Sequence, residues 1–478
     1  MRAMAGCGSA LRGVAKMRGE AMRGEAMAHT LRCFSSTADK NSSSPRSSRI
    51  SKFHALTVSQ RLAALQEAGF VSQEALKALE GEGLELKQAD QMIENVLGTF
   101  KVPMGVALNM IVNGRDYVVP MVLEEPSVVA AVSNVSRMAR PEGFVAESDD
   151  PVMIGQMNVL NIEEGKLDGA ASALRANFDK LTAMANELHP RLLQRGGGIR
   201  GMEVKRIVYD EPGEKAETNL VFNFFLDCRD AMGANIVNTT AEHLTEEVEK
   251  ITGGKVGLRI LSNLADRRLV RSSVKIPFDR LATKDMDGKA VAQGIAAAYR
   301  FAYSDPYRAC THNKGIMNGI DPVIIATGND WRAIEAGAHA FAARNGSYKP
   351  LASWKVKGDE LQGHIELPMQ VGIVGGTIKN HPTARAVLDI LGIQNAAELG
   401  EVIASVGLAQ NLAALRALAT EGIQRGHMSM HARGLVARVL PQETDEVKNQ
   451  VYAELLKSGE IKETKVLEIL EKIRGTRM

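Results

Sequence analysis

Val152-Met-Ile-Gly-Gln-Met-Asn-Val-Leu-Asn-Ile162 alternates as a strand does, and it opens the run of elements that decides the fold. Residues 167–188 have helical spacing. Residues 202–209 and 219–227 read as strands, 236–251 as a helix and 256–261 as a strand again. That order, β-α-β-β-α-β, is the ferredoxin-like split unit. It occupies 151–262 and is compact enough to be an inserted domain. The flanking pieces, 55–150 and 263–424, then make one larger mixed domain, and 425–478 a small helical flap. The expected class is α+β.

Outward from the module, helical patterning begins near Thr57 and continues over 72–80 and 86–97. Residues 116–123 read as a strand, with Pro120 placing it at an edge or bend. Glu124-Glu-Pro-Ser127 opens a helix to about Met138, Pro126 suiting its first turn. After the module, Arg308-Ala-Cys-Thr-His-Asn-Lys-Gly-Ile-Met-Asn-Gly319 reads as a glycine-broken polar loop leading to a strand-sized apolar run, Val323 to Thr327. Val371-Gly-Ile-Val-Gly-Gly-Thr377 lies between a strand and a helix. Residues 399–418 form a long alanine-rich helix, and three short helices follow Gln424, separated near Pro441 and Gly459.

The chain has 478 residues, 45% apolar and 24% charged, with a net charge of +2. That balance gives no support to a nucleic-acid or membrane-surface partner. No apolar run approaches the roughly 20 residues of a bilayer span. Cys7, Cys33, Cys228 and Cys310 show no paired zinc or redox spacing. Cys310 is either a nucleophile or a small residue filling space. Residues 1–54 carry ten Lys or Arg against Glu20, Glu25 and Asp39, followed by a serine-rich tract. Arg-rich, Ser-rich and acid-poor is the composition of a mitochondrial transit peptide, and Arg32-Cys-Phe-Ser-Ser36 resembles a matrix-protease site. The competing reading is a basic tail with no address, which leaves the protein cytoplasmic.

Several groups can carry chemistry. One of Glu124 and Glu125 can face a pocket as a proton donor, or both can be surface groups at a helix start. Lys314 can stabilise an oxyanion or be a solvated charge. Arg308 can clamp a carboxylate or bridge to Asp305. Asp330 can cap a helix or couple to a neighbouring Lys and Glu. His427 and His431 lie one helical turn apart, but Met428 stands where a zinc protease needs Glu, so no metal is expected. A His on a terminal segment suits a proton donor. Asp230-Ala-Met-Gly-Ala-Asn235 can cradle phosphates at a helix start or simply connect. Glu163 and Glu164 end a strand, where an acid can receive ribose hydroxyls or merely be solvated.

Together these segments resemble the 3-hydroxy-3-methylglutaryl-CoA (HMG-CoA) reductase family in its class II (soluble, bacterial-type) form. The resemblance covers nearly everything after about residue 55. It rests on Glu94-Asn-Val-Leu-Gly98, Asn113-Gly-Arg-Asp116, Glu124-Glu-Pro-Ser127, Asp230-Ala-Met-Gly-Ala-Asn235, Ile260-Leu-Ser-Asn-Leu-Ala-Asp266, Asp305-Pro-Tyr-Arg308, His312-Asn-Lys-Gly-Ile-Met-Asn-Gly319, Thr327-Gly-Asn-Asp-Trp331, Gly407-Leu-Ala-Gln-Asn411 and Gly426-His-Met-Ser-Met-His431. The resemblance implies four-electron reduction of HMG-CoA to mevalonate and CoA with two NAD(P)H, or the reverse. It implies Lys314 as oxyanion stabiliser, Glu125 as proton donor, Asp330 as tuner of both, and His427 as donor to the CoA thiolate. Arg308, Ser127 and Asn318 would hold the acyl carboxylate. Asp230, Met232, Gly233, Ala234, Asn235 and Asn263 would hold the dinucleotide, Asp230 by shaping the turn. Glu164 would repel a 2′-phosphate, which favours NADH over NADPH. The resemblance also implies a homodimer-based hexamer with active sites at the dimer interface. An inactive CoA-thioester-binding homologue is the alternative, and the presence of all four catalytic types argues against it.

Overall fold

The structure, a computed structural model, describes residues 46–81, 83–420, 422 and 432–475. Its strands are β1 (Met104–Val112), β2 (Arg115–Val122), β3 (Phe144–Ser148), β4 (Val152–Leu160), β5 (Gly198–Tyr209), β6 (Glu217–Asp227), β7 (Lys255–Ser262), β8 (Leu269–Pro277), β9 (Ala352–Lys357) and β10 (Glu360–Pro368). Strands β4 to β7 form an antiparallel sheet in the order β5-β6-β4-β7, the split-unit topology read from the sequence. Leu220, Phe222, Phe224 and Leu226 alternate along β6 into the core shared with the Ala234–Thr252 helix. Gly155 on β4 leaves room for Phe224, because a Cβ there would lie 2.2 Å from its ring. The stretch read as one helix over 167–188 is two, Leu167–Ala176 and Phe178–Glu187, broken at Asn177.

The larger sheet has the order β2-β1-β3-β8-β10-β9. Pro120 lies on its edge strand, where a missing N–H costs least. The Ala396–Ala419 helix packs against this sheet and is buried almost continuously from Leu399 to Leu412. Contrary to the reading of apolar runs, this 24-residue helix is long and apolar enough to cross a bilayer by composition, yet 67% of its apolar window is buried in the protein. It is a core helix.

The largest correction concerns residues 308–330. They are not a loop and a strand: Pro306–Ala326 is one helix of 21 residues. Asp305 caps it, accepting from the Tyr307 and Arg308 N–H groups, and Pro306 occupies its first turn. Its glycines do not break it. A Cβ on Gly319 would lie 2.8 Å from Gln410 Cβ, and one on Gly407 2.8 Å from Ile320, so these residues let two helices cross closely. The helix read over 86–97 is also shorter, Leu86–Asp90. The residues beyond it leave Ile93, Leu97 and Phe100 exposed, and an amphipathic turn without a packing surface does not propagate.

Residues 46–54, assigned to the leader by composition, belong to the fold. Ser48 is buried, and its N–H and hydroxyl both donate to the Asp116 carboxylate, which Arg140 also holds. Residues 1–45 lie outside the described residues. The C-terminal piece has helices over 432–439, Asp445–Ser458 and Glu463–Gly475, with a core of its own around Leu435, Val451, Leu455 and Ile469.

Candidate active site

Arg308, Thr311, His312, Gly315 and Asn318 recur at intervals of three and four, so one face of the Pro306–Ala326 helix gathers them, with Lys314 at its margin. That face, the Glu125–Val128 turn and the Ala396–Ala419 helix enclose a cleft of about 260 Å³. Glu124 is exposed and Glu125 half-buried, so the second carboxylate is the one directed inward. Lys314 Nζ lies 3.2 Å from Glu125 Oε2, and Asn318 Nδ2 donates to the same carboxylate at 3.3 and 3.4 Å. Asn318 therefore bonds the Glu125 carboxylate in this structure. Ser127 has φ 76°, a left-handed conformation that costs a serine energy. Its side chain makes no capping bond and lines the cleft.

Arg308 does not bridge to Asp305, whose carboxylate is used as the helix cap. Its Nη1 is buried without a hydrogen-bond partner among the described residues, and burial lowers its pKa. A buried guanidinium N–H facing a cleft calls for an anionic acceptor, and a carboxylate matches its geometry. His312 also lines the cleft. Burial, and then the Arg308 charge, push its pKa down to about 3, so it is a neutral imidazole. Gln410 Oε1 is buried there without a partner among the described residues. His312 and Gln410 escaped the residue-by-residue reading as site members; the spacing 308/311/312/315/318 was the available signal for the first. In the single chain the Lys314 side chain is 62% exposed and that of Glu125 32%. The cleft is thus open to water on this side.

Asp330 does not join the Lys314–Glu125 pair by a hydrogen bond or ion pair among the described residues. It caps the Trp331–Ala342 helix, accepting from the Ala333 N–H at 3.1 Å. His427 lies outside the described residues. Cys310 is exposed on the same helix as Lys314, whereas Cys228 is buried, with its thiol pushed up to about 12 by burial.

The Asp230–Asn235 turn leaves β6 and starts the Ala234–Thr252 helix. Gly233 has φ 109°, and a Cβ there would lie 2.5 Å from Cys228 Sγ, so any side chain is strained and forces its neighbours to shift. A glycine cradle ahead of a 19-residue helix suits phosphate oxygens. Asp230 does not face such a group: its Oδ1 accepts from the Ala396 N–H at 3.0 Å. The Asn263 carbonyl accepts from Gln370 Nε2 at 3.1 Å. Glu164 is corrected. The turn adjoins the Val152 end of β4, where Cys228 N–H bonds Pro151 O and Val152 pairs with Asp227. Leu160 ends the same strand eight residues on, roughly 27 Å away at 3.4 Å per residue, and Glu164 lies beyond it. An antiparallel neighbour strand puts its outgoing end on the far side of the sheet, unlike the parallel strands for which the ribose rule holds.

Comparison with known proteins agrees with this geometry. The family model described as hydroxymethylglutaryl-coenzyme A reductase matches residues 57–432. The 3-hydroxy-3-methylglutaryl-coenzyme A reductase of Archaeoglobus fulgidus is 48% identical over 436 residues, covering 90% of this chain and 95% of that one. A probable enzyme of the same name from Borreliella burgdorferi is 34% identical over 72% of this chain and 77% of its own. Among solved structures, a class II HMG-CoA reductase from Streptococcus pneumoniae bound to NADPH superposes with a TM-score of 0.73 at 43% identity, covering 77% of this chain and 99% of that chain. The chain belongs to the hydroxymethylglutaryl-coenzyme A reductase family, in its class II form.

Proposed function

We propose that this chain reduces HMG-CoA at the Glu125–Lys314 cleft. The observation that carries the assignment is an ammonium 3.2 Å from a carboxylate, beside a buried guanidinium N–H that has no partner among the described residues. Arg308 and Ser127 hold the acyl carboxylate. Lys314 stabilises the oxyanion that forms at the thioester carbonyl. His427 protonates the departing CoA thiolate, and Glu125 then gives a proton to the aldehyde oxygen. Asp330 acts on that pair from the start of its helix. A nicotinamide dinucleotide supplies hydride when bound, and Met232, Gly233, Ala234 and Asn235 are the residues to hold it, with Asn263 near them. Two hydrides and two protons convert the thioester to alcohol and free thiol. Purified protein should consume two dinucleotides per HMG-CoA; no consumption with either NADH or NADPH rejects the reading.

The case for NADH rested on Glu164, which lies at the far end of the sheet from the turn. What the turn supports is a nicotinamide dinucleotide of either kind. Replacing Glu164 by alanine should leave the ratio of NADH to NADPH turnover unchanged, and a shifted ratio would return that residue to the site.

The exposure of Lys314 and of Ile93, Leu97 and Phe100 supports a homodimer that closes the cleft, with a hexamer built from such dimers. Sedimentation showing a fully active monomer would remove this proposal. The basic, acid-poor composition of residues 1–45 supports import into the mitochondrial matrix. A fluorescent protein carrying that segment should enter mitochondria; retention in the cytoplasm favours the basic-tail reading.

A further inference from the structure

The connection from β7 to β8 carries a charged residue that bonds to no carboxylate among the described residues, although Asp227 and Asp230 lie near enough for their charge to favour its protonated form. Arg268 is 4% exposed. Its Nη1 donates to the Ala231 and Met232 carbonyls at 3.1 and 3.3 Å, and its Nη2 donates to the Val371 carbonyl. Burial pushes its pKa down to about 10, which leaves it charged at neutral pH. A guanidinium buried on three carbonyls is costly, and an apolar side chain would fill the space at less expense. What it achieves is orientation. In a trans peptide the N–H following a carbonyl points the opposite way. Pinning the Ala231 and Met232 carbonyls on Arg268 therefore turns the Met232 and Gly233 N–H groups away from it.

The same turn is held from the other side by the segment 371–373. Ile373 N–H donates to Asp230 O at 2.9 Å. Gly372 backs directly on the turn, since a Cβ there would lie 2.5 Å from Met232 N. Asn329 grips Gly372 at both ends, donating to its carbonyl at 3.0 Å and accepting from its N–H at 2.8 Å. Asn329 is the chain neighbour of Asp330. Bonded contacts thus run from the glycine turn, through Arg268 and the 371–373 strap, to the start of the helix that Asp330 caps.

We propose that Arg268, with this strap, is a positioning residue for hydride transfer, fixing the dinucleotide-binding turn in register with Asn329 and the start of the helix that Asp330 caps. The inference rests on the proposed readings of Asp230–Asn235 as the dinucleotide turn and of Asp330 as acting on the Lys314–Glu125 pair. Arg268→Lys keeps the charge and loses the planar fork that reaches two segments at once. Gly372→Ala keeps the fork and pushes the strap off Met232. Both variants should raise KM for the dinucleotide about tenfold, leave KM for HMG-CoA within about twofold, and enlarge the primary isotope effect from 4-deuterated dinucleotide, as misaligned hydride transfer becomes limiting. Equal losses for both substrates, or a parental isotope effect in whichever variant folds, would overturn the proposal; failure of both variants to fold would also count against it, by making Arg268 a plain core residue. Gly233→Ala separates this inference from the one beneath it. If Gly233→Ala raises KM for the dinucleotide and Arg268→Lys does not, only the role of Arg268 falls. If neither does, the turn is not the dinucleotide site.

Discussion

Lys314→Ala should lower kcat for HMG-CoA reduction by about a hundred- to a thousandfold, the usual cost of deleting one donor to a developing oxyanion. Substrate binding should survive in large part, because the buried Arg308 Nη1 and Ser127 remain in the cleft. Glu125 keeps its bonds from Asn318, so the variant loses the ammonium without losing the carboxylate's position. Lys314→Arg should restore little, since a planar fork places its charge differently from a compact ammonium. Single-turnover oxidation of the dinucleotide, set beside equilibrium binding of HMG-CoA, separates the two effects. An alanine variant with near-parental turnover takes Lys314 out of the chemistry.

Glu125→Gln tests the other half of the pair. The amide oxygen can still accept from Asn318, so the turn keeps its shape, but the group can no longer give up a proton at neutral pH. Loss of a positioned general acid costs about 10²- to 10⁴-fold. The loss should fall mainly on reduction of the aldehyde, measured with mevaldehyde as substrate. The thioester step, in which CoA leaves with a proton from elsewhere, should fall less, so CoA release should outrun mevalonate formation. Equal losses in both half-reactions would mean that Glu125 serves both or only holds Lys314. The Lys314–Glu125 ion pair contributes little to stability by itself, because both ends are accessible to water. Unfolding midpoints of both variants should therefore stay close to that of the parent.

The inserted module was legible because it is local. Each of its elements carries its own period, and the even positions of β6 fill one side of its sheet whatever lies elsewhere in the chain. The motif around Lys314 was legible as chemistry but misread as structure. Two glycines and an interior proline, Pro322, in 21 residues argue for a loop by propensity. They sit in a helix because Gly319, with Gly407 opposite, allows it to pack closely on the Ala396–Ala419 helix, and tertiary contact outweighs propensity. Glu164 failed for a related reason. A strand end was recognised, but which end of the sheet it occupies depends on pairing direction, and no single strand states that.

The sequence alone determined the residue types, the ferredoxin-like insertion and the family, because these depend on local periodicity and on short motifs read in order. Tertiary structure alone decided that Asn318 holds the Glu125 carboxylate beside Lys314, that Arg308 Nη1 is buried with no bonding partner among the described residues, and that Asp230 accepts from the start of the Ala396–Ala419 helix. Those outcomes turn on distances between segments remote in the chain, and such distances are set when the helices and sheets pack, not by the order of residues within any one of them.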